Sequence, residues 1–400
     1  MEFERIIWLD PNLKTNFGHP IEAACSVKGL CDKTNNGHLE IVANREIDGA
    51  AINLLGKVYP MITKSCFQNL DEKGETFLKD LNSTATELRL GPADLVIVPT
   101  SYSNEIIGTK RFVDKKGNKS PKFVFQIHQF FPPTQTFKES LTRQYFLQNK
   151  RLLSEAFYGL DSFKHVISVW STESNQLNML LNSLSPTRIG KLPLPIEFHP
   201  EFQDKKNGVF TISFLGDGRY EKGLLLFLES AQSLPNHGEK IVIQDYNRRG
   251  YKSEENIRLN NLMYNLENSG RIQVIRSAIN PVDFQRIIAE SDLVVMPYHP
   301  KSYDKRISEV YMIARMYNRD CIVSSATWMA EESKRFGTNG VFTYDLENTE
   351  TTIANLGEEL QKLAAEGRAR SGTVDSKQAD AYKLSNNPEE LLGRIKKHYE

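Results

Sequence analysis

Residues 291–332 read SDLVVMPYHPKSYDKRISEVYMIARMYNRDCIVSSATWMAEE. Asp292 to Met296 is a short apolar run, the composition expected of a strand buried on both faces. Pro297, His299 and Pro300 break it. Arg306 to Tyr317 has helical spacing, with Val310, Ile313, Ala314 and Tyr317 on one side. Cys321 to Ser325 supplies the next strand. A strand–loop–helix–strand unit of this kind sets polar groups at a helix N-terminus and at the carboxyl ends of two strands, where open α/β sheets bind ligands. The predicted fold class is therefore α/β.

Composition narrows the functional classes. A chain of 400 residues suggests two or three domains. Its 50 basic residues equal its 50 acidic ones, so no global field favours nucleic acid or membrane, and no nucleic-acid partner is expected. No apolar run approaches the length of a membrane-spanning helix. The opening residues MEFERIIWLD read as entering a strand directly, without a signal peptide. Cys25, Cys31, Cys66 and Cys321 lack metal or redox spacing and read as free thiols of a reducing cytoplasm. No Asp-x-Asp or His-Glu-x-x-His arrangement argues for a metal, and no cofactor is expected. Oligomeric state is not legible.

Outward from the opening stretch, strand and helix patterns alternate through both halves. In the first, Glu4 to Leu9 reads as a strand, followed by a loop around Gly18, His19 and Pro20 and a helix from Ile21 to Cys31. Leu39 to Ala43, Leu95 to Val98, Phe123 to Ile127 and Val166 to Trp170 read as further strands. Ile52 to Val58, Phe77 to Leu88, Leu141 to Phe157 and Asn175 to Leu184 read as helices. Gly18 permits close backbone approach. His19 reads as a surface histidine or as a contact to sugar or phosphate. His128 follows a strand's carboxyl end and is either a core histidine or a functional one. The basic run from Thr109 to Lys122 reads as a solvated loop, or as a patch for an anionic acceptor or lipid head groups.

Two prolines, Pro193 and Pro195, hold an extended segment that reads as a linker. The predicted boundaries are 1–192, a linker at 193–207, a second domain at 208–384 and a terminal helix at 385–400. The second half opens with a strand, Val209 to Leu215, and then Gly216-Asp217-Gly218-Arg219-Tyr220-Glu221-Lys222-Gly223 before the helix Leu224 to Ser233. A glycine-bearing turn into a helix cradles phosphate through backbone N–H groups, and Arg219 and Lys222 add charge-assisted hydrogen bonds. The competing reading is surface charge at a helix start. Lys240 to Gln244, Ile272 to Ile275 and Val341 to Tyr344 read as strands. Glu254 to Asn268, Pro281 to Ser291, Asn355 to Ala365 and Asn387 to Tyr399 read as helices, and Gly367 to Asp380 as mobile.

The pattern Tyr303-x-x-Arg306-x-Ser308, then a helix, then a strand ending in Thr327-Trp328, resembles the nucleotide-binding stretch of GT-B-type retaining glycosyltransferases, the large bacterial group 1, or family 4-like, set. The order of elements extends that resemblance over most of the chain. It implies two Rossmann-like domains facing across a cleft, with a terminal helix crossing back to the first. It also implies transfer of a sugar from a nucleotide-activated donor to a saccharide, lipid-linked or other glycoconjugate acceptor, as in polysaccharide biosynthesis, with retention of configuration and without metal. By the same resemblance Arg219 and Lys222 would hold the donor diphosphate, with Gly216 and Gly218 in its turn. Tyr298, Tyr303, Arg306, Ser308 and Glu309 would line the donor site. The turn at Arg276 would read the base, His128 would contact the transferred sugar, and Gly18, His19 and Trp328 would lie on the acceptor or cleft side. Localisation would be cytoplasmic, with peripheral membrane contact through the basic loop at 109–122.

The chain departs from that family's pattern at informative positions. The family's carboxylate that hydrogen-bonds the donor ribose falls on Ile313, or on its neighbour Ala314, neither of which can accept a hydrogen bond. The first carboxylate position falls on Arg306, and the glycine that approaches the phosphate is Glu309. Because Glu309 lies four residues before Ile313, roughly 5–6 Å away on one helix face, it could replace the missing carboxylate. Alternatively it repels a diphosphate, and the chain is a catalytically impaired binding or scaffolding subunit. Arg306 and Ser308 alternatively serve as an ion-pair partner and a helix cap. Trp328 packs on sugar or base, or anchors a domain.

Overall fold

The computed structural model describes residues 3–34, 38–66, 71, 73–128, 151, 154–156, 166–175, 178–179, 182, 189–203, 208–235, 238–336, 340–369 and 376–400. Its contacts divide the chain into two compact units, Met1–Glu197 with Ser385–Glu400, and Phe198–Leu384. Of the stretch read as a linker, Ile196 and Glu197 bond within the first unit, to Asn386 and Ser26. His199 bonds to Tyr317 of the second.

The first unit holds β1 (Arg5–Asp10), β2 (His38–Asn44), β3 (Val58–Ile62), β4 (Asp94–Val98), β5 (Lys122–Ile127), β6 (Ile167–Ser171) and β7 (Ile189–Lys191). They form one parallel sheet in the order β3-β2-β1-β4-β5-β6-β7. Side chains alternate across a strand, so each strand feeds two cores. Ile7, Leu9, Val96, Val98, Phe123 and Phe125 meet helices Glu75–Glu87 and Ser103–Lys116 on one face. Ile6, Trp8, Ile41, Ala43, Leu95 and Ile97 meet helices His19–Thr34 and Gly49–Leu55 on the other. Helix Pro388–Tyr399 joins that second face through Leu391, Leu392 and Ile395, and Tyr399 donates from its hydroxyl to the Phe123 carbonyl (2.8 Å). The chain's last helix thus completes the core of its first unit.

The second unit holds β8 (Thr211–Phe214), β9 (Asp217–Arg219), β10 (Lys240–Gln244), β11 (Tyr246–Arg249), β12 (Ile272–Ile275), β13 (Leu293–Met296), β14 (Asp320–Ser324) and β15 (Val341–Phe342). Six of them build a parallel sheet ordered β12-β10-β8-β13-β14-β15, while β9 and β11 pair separately. Leaving β9 and β11 aside, the order is that of a doubly wound fold whose topological switch lies between β8 and β13. The run at 293–296 is buried throughout: Leu293 and Val295 join the core under helices Leu224–Ala231, Ser253–Asn268 and Thr349–Ala369. Helix Glu309–Met316 is apolar nearly all round and correspondingly buried.

Several element readings are corrected. The helix read over 52–58 is Gly49–Leu55, because Gly56 takes φ +77° and ends it, and β3 then begins. Pro60 is tolerated there because β3 is an edge strand. The basic run is not a loop: Lys110, Arg111, Lys115 and Lys116 ride on helix Ser103–Lys116, whose other side buries Ile106, Phe112 and Val113. Lys110 pairs with Asp114 (2.9 Å) and Arg111 with Glu75 (2.7 Å). Arg306 precedes its helix, which Ser308 caps, and a short helix Pro300–Tyr303 stands where a loop was expected. Trp328 begins a helix rather than ending a strand. Part of the segment read as mobile is helical, in Thr349–Ala369 and Ser376–Ser385, and 370–375 lie outside the described residues. Most of the helices read over 141–157 and 175–184 also fall outside them.

Candidate functional site

The second unit concentrates its charge at the switch between β8 and β13. After β8 the backbone turns through Gly216 at φ +117°, forms β9, tightens into a 3-10 turn at Tyr220–Lys222 and enters helix Leu224–Ala231 through Gly223 at φ +75°. Gly216 is needed for its φ, and Gly223 for space as well. A Cβ on Gly216 would lie 2.5 Å from Lys222 Nζ, and one on Gly223 would lie 2.4 Å from the Pro297 carbonyl oxygen. The Gly216 N–H donates to Gln244 Oε1 (2.9 Å), whose amide donates to the Ser277 carbonyl (3.1 Å), so the ends of β8, β10 and β12 are tied together. The His299 N–H donates to the Glu221 carbonyl (2.8 Å), which fastens the chain after β13 to the glycine turn.

Within that frame the charges pair closely. Asp217 contacts Arg219 at 2.8 Å and Lys222 at 2.7 Å. Glu221 contacts Arg219 at 2.9 Å and Arg306 at 3.9 Å. Arg219 donates to the Tyr303 hydroxyl (3.3 Å), and the Arg306 guanidinium lies 4.6 Å from the Tyr303 ring centre. Tyr298 packs on Tyr303 with ring centres 4.5 Å apart, and Lys222 Nζ approaches the Tyr298 ring at 5.8 Å. The side chains of Arg219 and Lys222 are only 12% and 11% exposed, so these are buried cations neutralised in place. Burial works against ionised Asp217, but Lys222 and Arg219 overcome it and hold its carboxyl below the usual range. Burial likewise opposes the charge on Lys222, and Asp217 outweighs it, raising the ammonium's pKa. Burial pushes the Tyr298 phenol up to about 12.

Sequence reasoning took Arg219 and Lys222 as open cations and gave no role to Asp217 or Glu221. The structure pairs those cations with carboxylates of their own turn. The signal was present in the alternation Asp217, Arg219, Glu221, Lys222, which places opposite charges within one tight turn. Arg219 Nε, Asp217 Oδ1 and Glu221 Oε1 are sealed from solvent and meet their partners by charge, without hydrogen-bond geometry, and Glu221 Oε2 is sealed with no hydrogen-bond partner. Ser308 accepts from the Tyr311 N–H (3.3 Å) and is buried as a helix cap. Glu309 opens the same helix. Part of its surface is open, but its Oε1 is sealed from solvent and has no hydrogen-bond partner. Burial lifts this carboxyl to about 7, against the opposing pull of Lys222. Ile313 and Ala314 are fully buried in the core.

Other residues singled out from the sequence stand apart from this cluster. Arg276 is exposed and forks onto Glu267 (2.9 and 2.6 Å). Gly218 lets Arg248 pack closely, since a Cβ would come within 2.9 Å of its Cγ. Trp328 is buried edge-on against Tyr311, with ring centres 5.7 Å apart, and its indole nitrogen lacks a partner.

In the first unit, His19 heads helix His19–Thr34 behind Gly18 at φ +82°. Its Nε2 lies 3.5 Å from Thr100 Oγ1, and its ring meets that of His128 edge-on at 5.2 Å. Burial drives His128 down to about 4, against a hydrogen bond to the Pro99 backbone, so the imidazole is neutral, and its Nε2 is sealed and unpartnered. Asp10, at the end of β1, was not singled out. It is wholly buried, bonded at Oδ1 by the Asn12 N–H (2.8 Å), and lifted by burial to about 7. Among the described residues no group of three or more His, Cys, Asp or Glu side chains is placed to hold a metal ion, and no helix is long and apolar enough to cross a membrane.

No protein-family model and no curated protein sequence matches the chain. Solved structures do match it along nearly its whole length. Sucrose-phosphate synthase from Thermosynechococcus elongatus superposes with a TM-score of 0.68 at 12% identity, over 99% of this chain and 98% of that one. Anabaena HepE, solved in complex with UDP and glucose, gives 0.64 at 13% identity over 98% of each chain. The N-terminal domain of Candida albicans trehalose-6-phosphate phosphatase gives 0.62 at 12% identity, over 99% and 97%. The two parallel-sheet α/β units therefore have the GT-B fold. These names span more than one activity, so function has to be argued from the site.

Proposed function

We propose that the protein is a glycosyltransferase that moves a sugar from a nucleotide-activated donor to a saccharide, lipid-linked or other glycoconjugate acceptor. The observation that carries this reading is the gathering of Arg219, Lys222 and Arg306 with Tyr303 and Ser308 at the switch between β8 and β13. Diphosphates bind at such a point in doubly wound sheets. Likeness to HepE, solved with UDP and glucose, supports a nucleotide sugar as the donor class.

The chemistry follows from charge. As the bond to the leaving diphosphate breaks, negative charge builds on its oxygens, and preoriented cations in a partly dry site stabilise it more than water does. Asp217 and Glu221 hold Arg219 and Lys222 in position. Arg306, only loosely paired at 3.9 Å, is the cation most readily turned to phosphate. These groups can supply the electrostatics without a metal, and the proposal includes a metal-independent reaction with retention of configuration. In the first unit, His128 spends one ring nitrogen on the Pro99 backbone and leaves Nε2 to accept from a hydroxyl, which suits a sugar. The exposed lysines Lys115, Lys116 and Lys119 suit peripheral contact with an anionic membrane in the cytoplasm.

A second reading is favoured by the carboxylates. Asp217 and Glu221 already pair with Arg219, Lys222, Arg249 and Arg306, and an ionised Glu309 would weaken the pull on a diphosphate further, which suits a GT-B chain that binds or scaffolds without catalysing. Calorimetric titration with UDP, GDP, ADP, TDP and CMP, repeated on Lys222→Ala, separates the two. Micromolar binding of one nucleotide, lost in the variant, is expected. No binding by a folded protein would overturn the transferase reading in favour of the scaffold.

A further inference from the structure

The second unit sets two strands apart from its six-stranded sheet. β9, which carries Asp217 and Arg219, pairs in parallel with β11. Tyr246 stands opposite Asp217 and Arg249 opposite Arg219, so β11 takes three steps where β9 takes two. The extra residue makes a bulge, and within it Asn247 adopts φ +55°, a left-handed conformation that asparagine tolerates at some cost. Side chains alternate along a strand, so a slip of one residue turns each of them to the other face. Without the bulge Arg248 would face Arg219 and Arg249 would turn away. With it, Arg248 leaves toward Asp245 and Asn260, its stem close over Gly218, and Arg249 leaves toward Asp217. This placement returns little to the fold. Arg249 meets Asp217 at 3.2 Å with its side chain 56% exposed, and so exposed an ion pair contributes little. Asp217 is already held by Arg219 at 2.8 Å and Lys222 at 2.7 Å. The register also sets Arg249 against another arginine, and like charges across a strand pair repel.

A strained residue and a like-charge pair are thus kept for a cation that adds little to stability, and strain held in this way points to function. We propose that Arg249 is a phosphate-binding residue, a fourth cation that the β9–β11 ribbon delivers to the ligand addressed by Arg219, Lys222 and Arg306. The inference rests on the phosphate reading of that cluster and adds a residue to it. A phosphate group set between the two opposed guanidinium groups replaces their repulsion with two attractions. Arg249 is free to make the move. Arg219 is divided among Asp217, Glu221 and the Tyr303 hydroxyl, and Lys222 is buried on Asp217. Arg249, by contrast, has one carboxylate contact among the described residues and most of its surface in water. Turning it to a ligand oxygen breaks that single contact and leaves Asp217 neutralised by the two cations that stay. Its planar fork can take two oxygens of a phosphate at once.

The test uses the full chain with inorganic diphosphate, UDP, GDP and ADP. In calorimetric titration Arg249→Gln should bind inorganic diphosphate, and each nucleotide that the unsubstituted protein takes, about tenfold more weakly. Lys252→Gln removes the same charge from an exposed position three residues on and should change affinity by no more than about twofold. A second readout needs no variant. Arg249 and Arg276 are equally exposed, at 56% each, and each is tied to a carboxylate. Inorganic diphosphate should slow the modification of Arg249 by phenylglyoxal, followed by peptide mass spectrometry, and leave that of Arg276 unchanged. An unprotected Arg249 would overturn the proposal whatever the variant shows, while diphosphate binding itself keeps the phosphate site standing. Unchanged affinity in a folded R249Q, or an equal loss in K252Q, would overturn it as well. Binding of none of the four ligands would remove the phosphate reading and this residue's part in it together.

Discussion

Replacing Gly223 with alanine strikes the joint on which the charged turn hangs. The residue sits at φ +75° and ψ +33°, a left-handed conformation that costs an L-residue about 1–2 kcal/mol. The new methyl would lie 2.4 Å from the Pro297 carbonyl oxygen and 3.1 Å from its ring, about 1 Å inside ordinary contact with a backbone atom. Backbone cannot rotate away as a side-chain tip can. Moving Pro297 also disturbs the bond from the His299 N–H to the Glu221 carbonyl, which pins the two halves of the site together. Overpacking of this kind costs about a further 1–3 kcal/mol, so the expected total is roughly 2–5 kcal/mol. Urea denaturation would read it from the midpoint and slope, and hydrogen exchange should place the loosening at residues 216–228 and 297–309. A G223A protein within about 0.5 kcal/mol of the unsubstituted one would refute the claim that this contact is rigid.

Other substitutions probe the remaining physics. Asp217→Asn keeps the shape of the turn but frees one unit of positive charge, so nucleoside diphosphate affinity should rise by about tenfold or more, measured by calorimetry. The same variant should lose about 2 kcal/mol near neutral pH. Because the Asp217 carboxyl is held below its usual value of 3.8, this stabilisation is present above that pH and disappears as pH falls through the folded-state value. Asp10→Asn works in the opposite sense. A carboxyl lifted from 3.8 to about 7 weakens the fold progressively between those values, so the variant should be more stable at pH 8 by about 2 kcal/mol or more, with the gap closing toward pH 4 in paired denaturant melts. Leu391→Ala opens a cavity beneath the last helix and should cost about 2–4 kcal/mol, with faster hydrogen exchange in β1 and β2 and none added in β8 or β13.

What the sequence disclosed about the fold was what burial writes into it. Runs such as Leu95–Val98 and Leu293–Met296 are apolar on both faces because helices cover both, and such runs are visible without a structure. The readings that failed lie where burial is one-sided or a single backbone angle decides. Val58–Ile62 is an edge strand with a proline, so its composition resembles a loop. The basic stretch ending at Lys116 is a helix because three apolar side chains and the Tyr102–Glu105 capping pair outvote its lysines. Gly56 ends its helix through its φ, a property that no neighbouring residue type announces.

The site was legible in kind and not in state. Glycines flanking Arg219 and Lys222 predicted a charged turn, and the turn is there, because positions 216 and 223 take positive φ and backbone crowds 223. What pattern reading cannot supply is which charge answers which. Asp217 and Arg219 are two residues apart in a short strand, so their side chains leave on the same face and meet, whereas Arg276, equally promising on paper, is drawn out to Glu267. The state of Glu309 depends on the same fact at longer range: Lys222, whose charge pulls its carboxyl down, is shared with Asp217, and burial wins, lifting Glu309 to about 7.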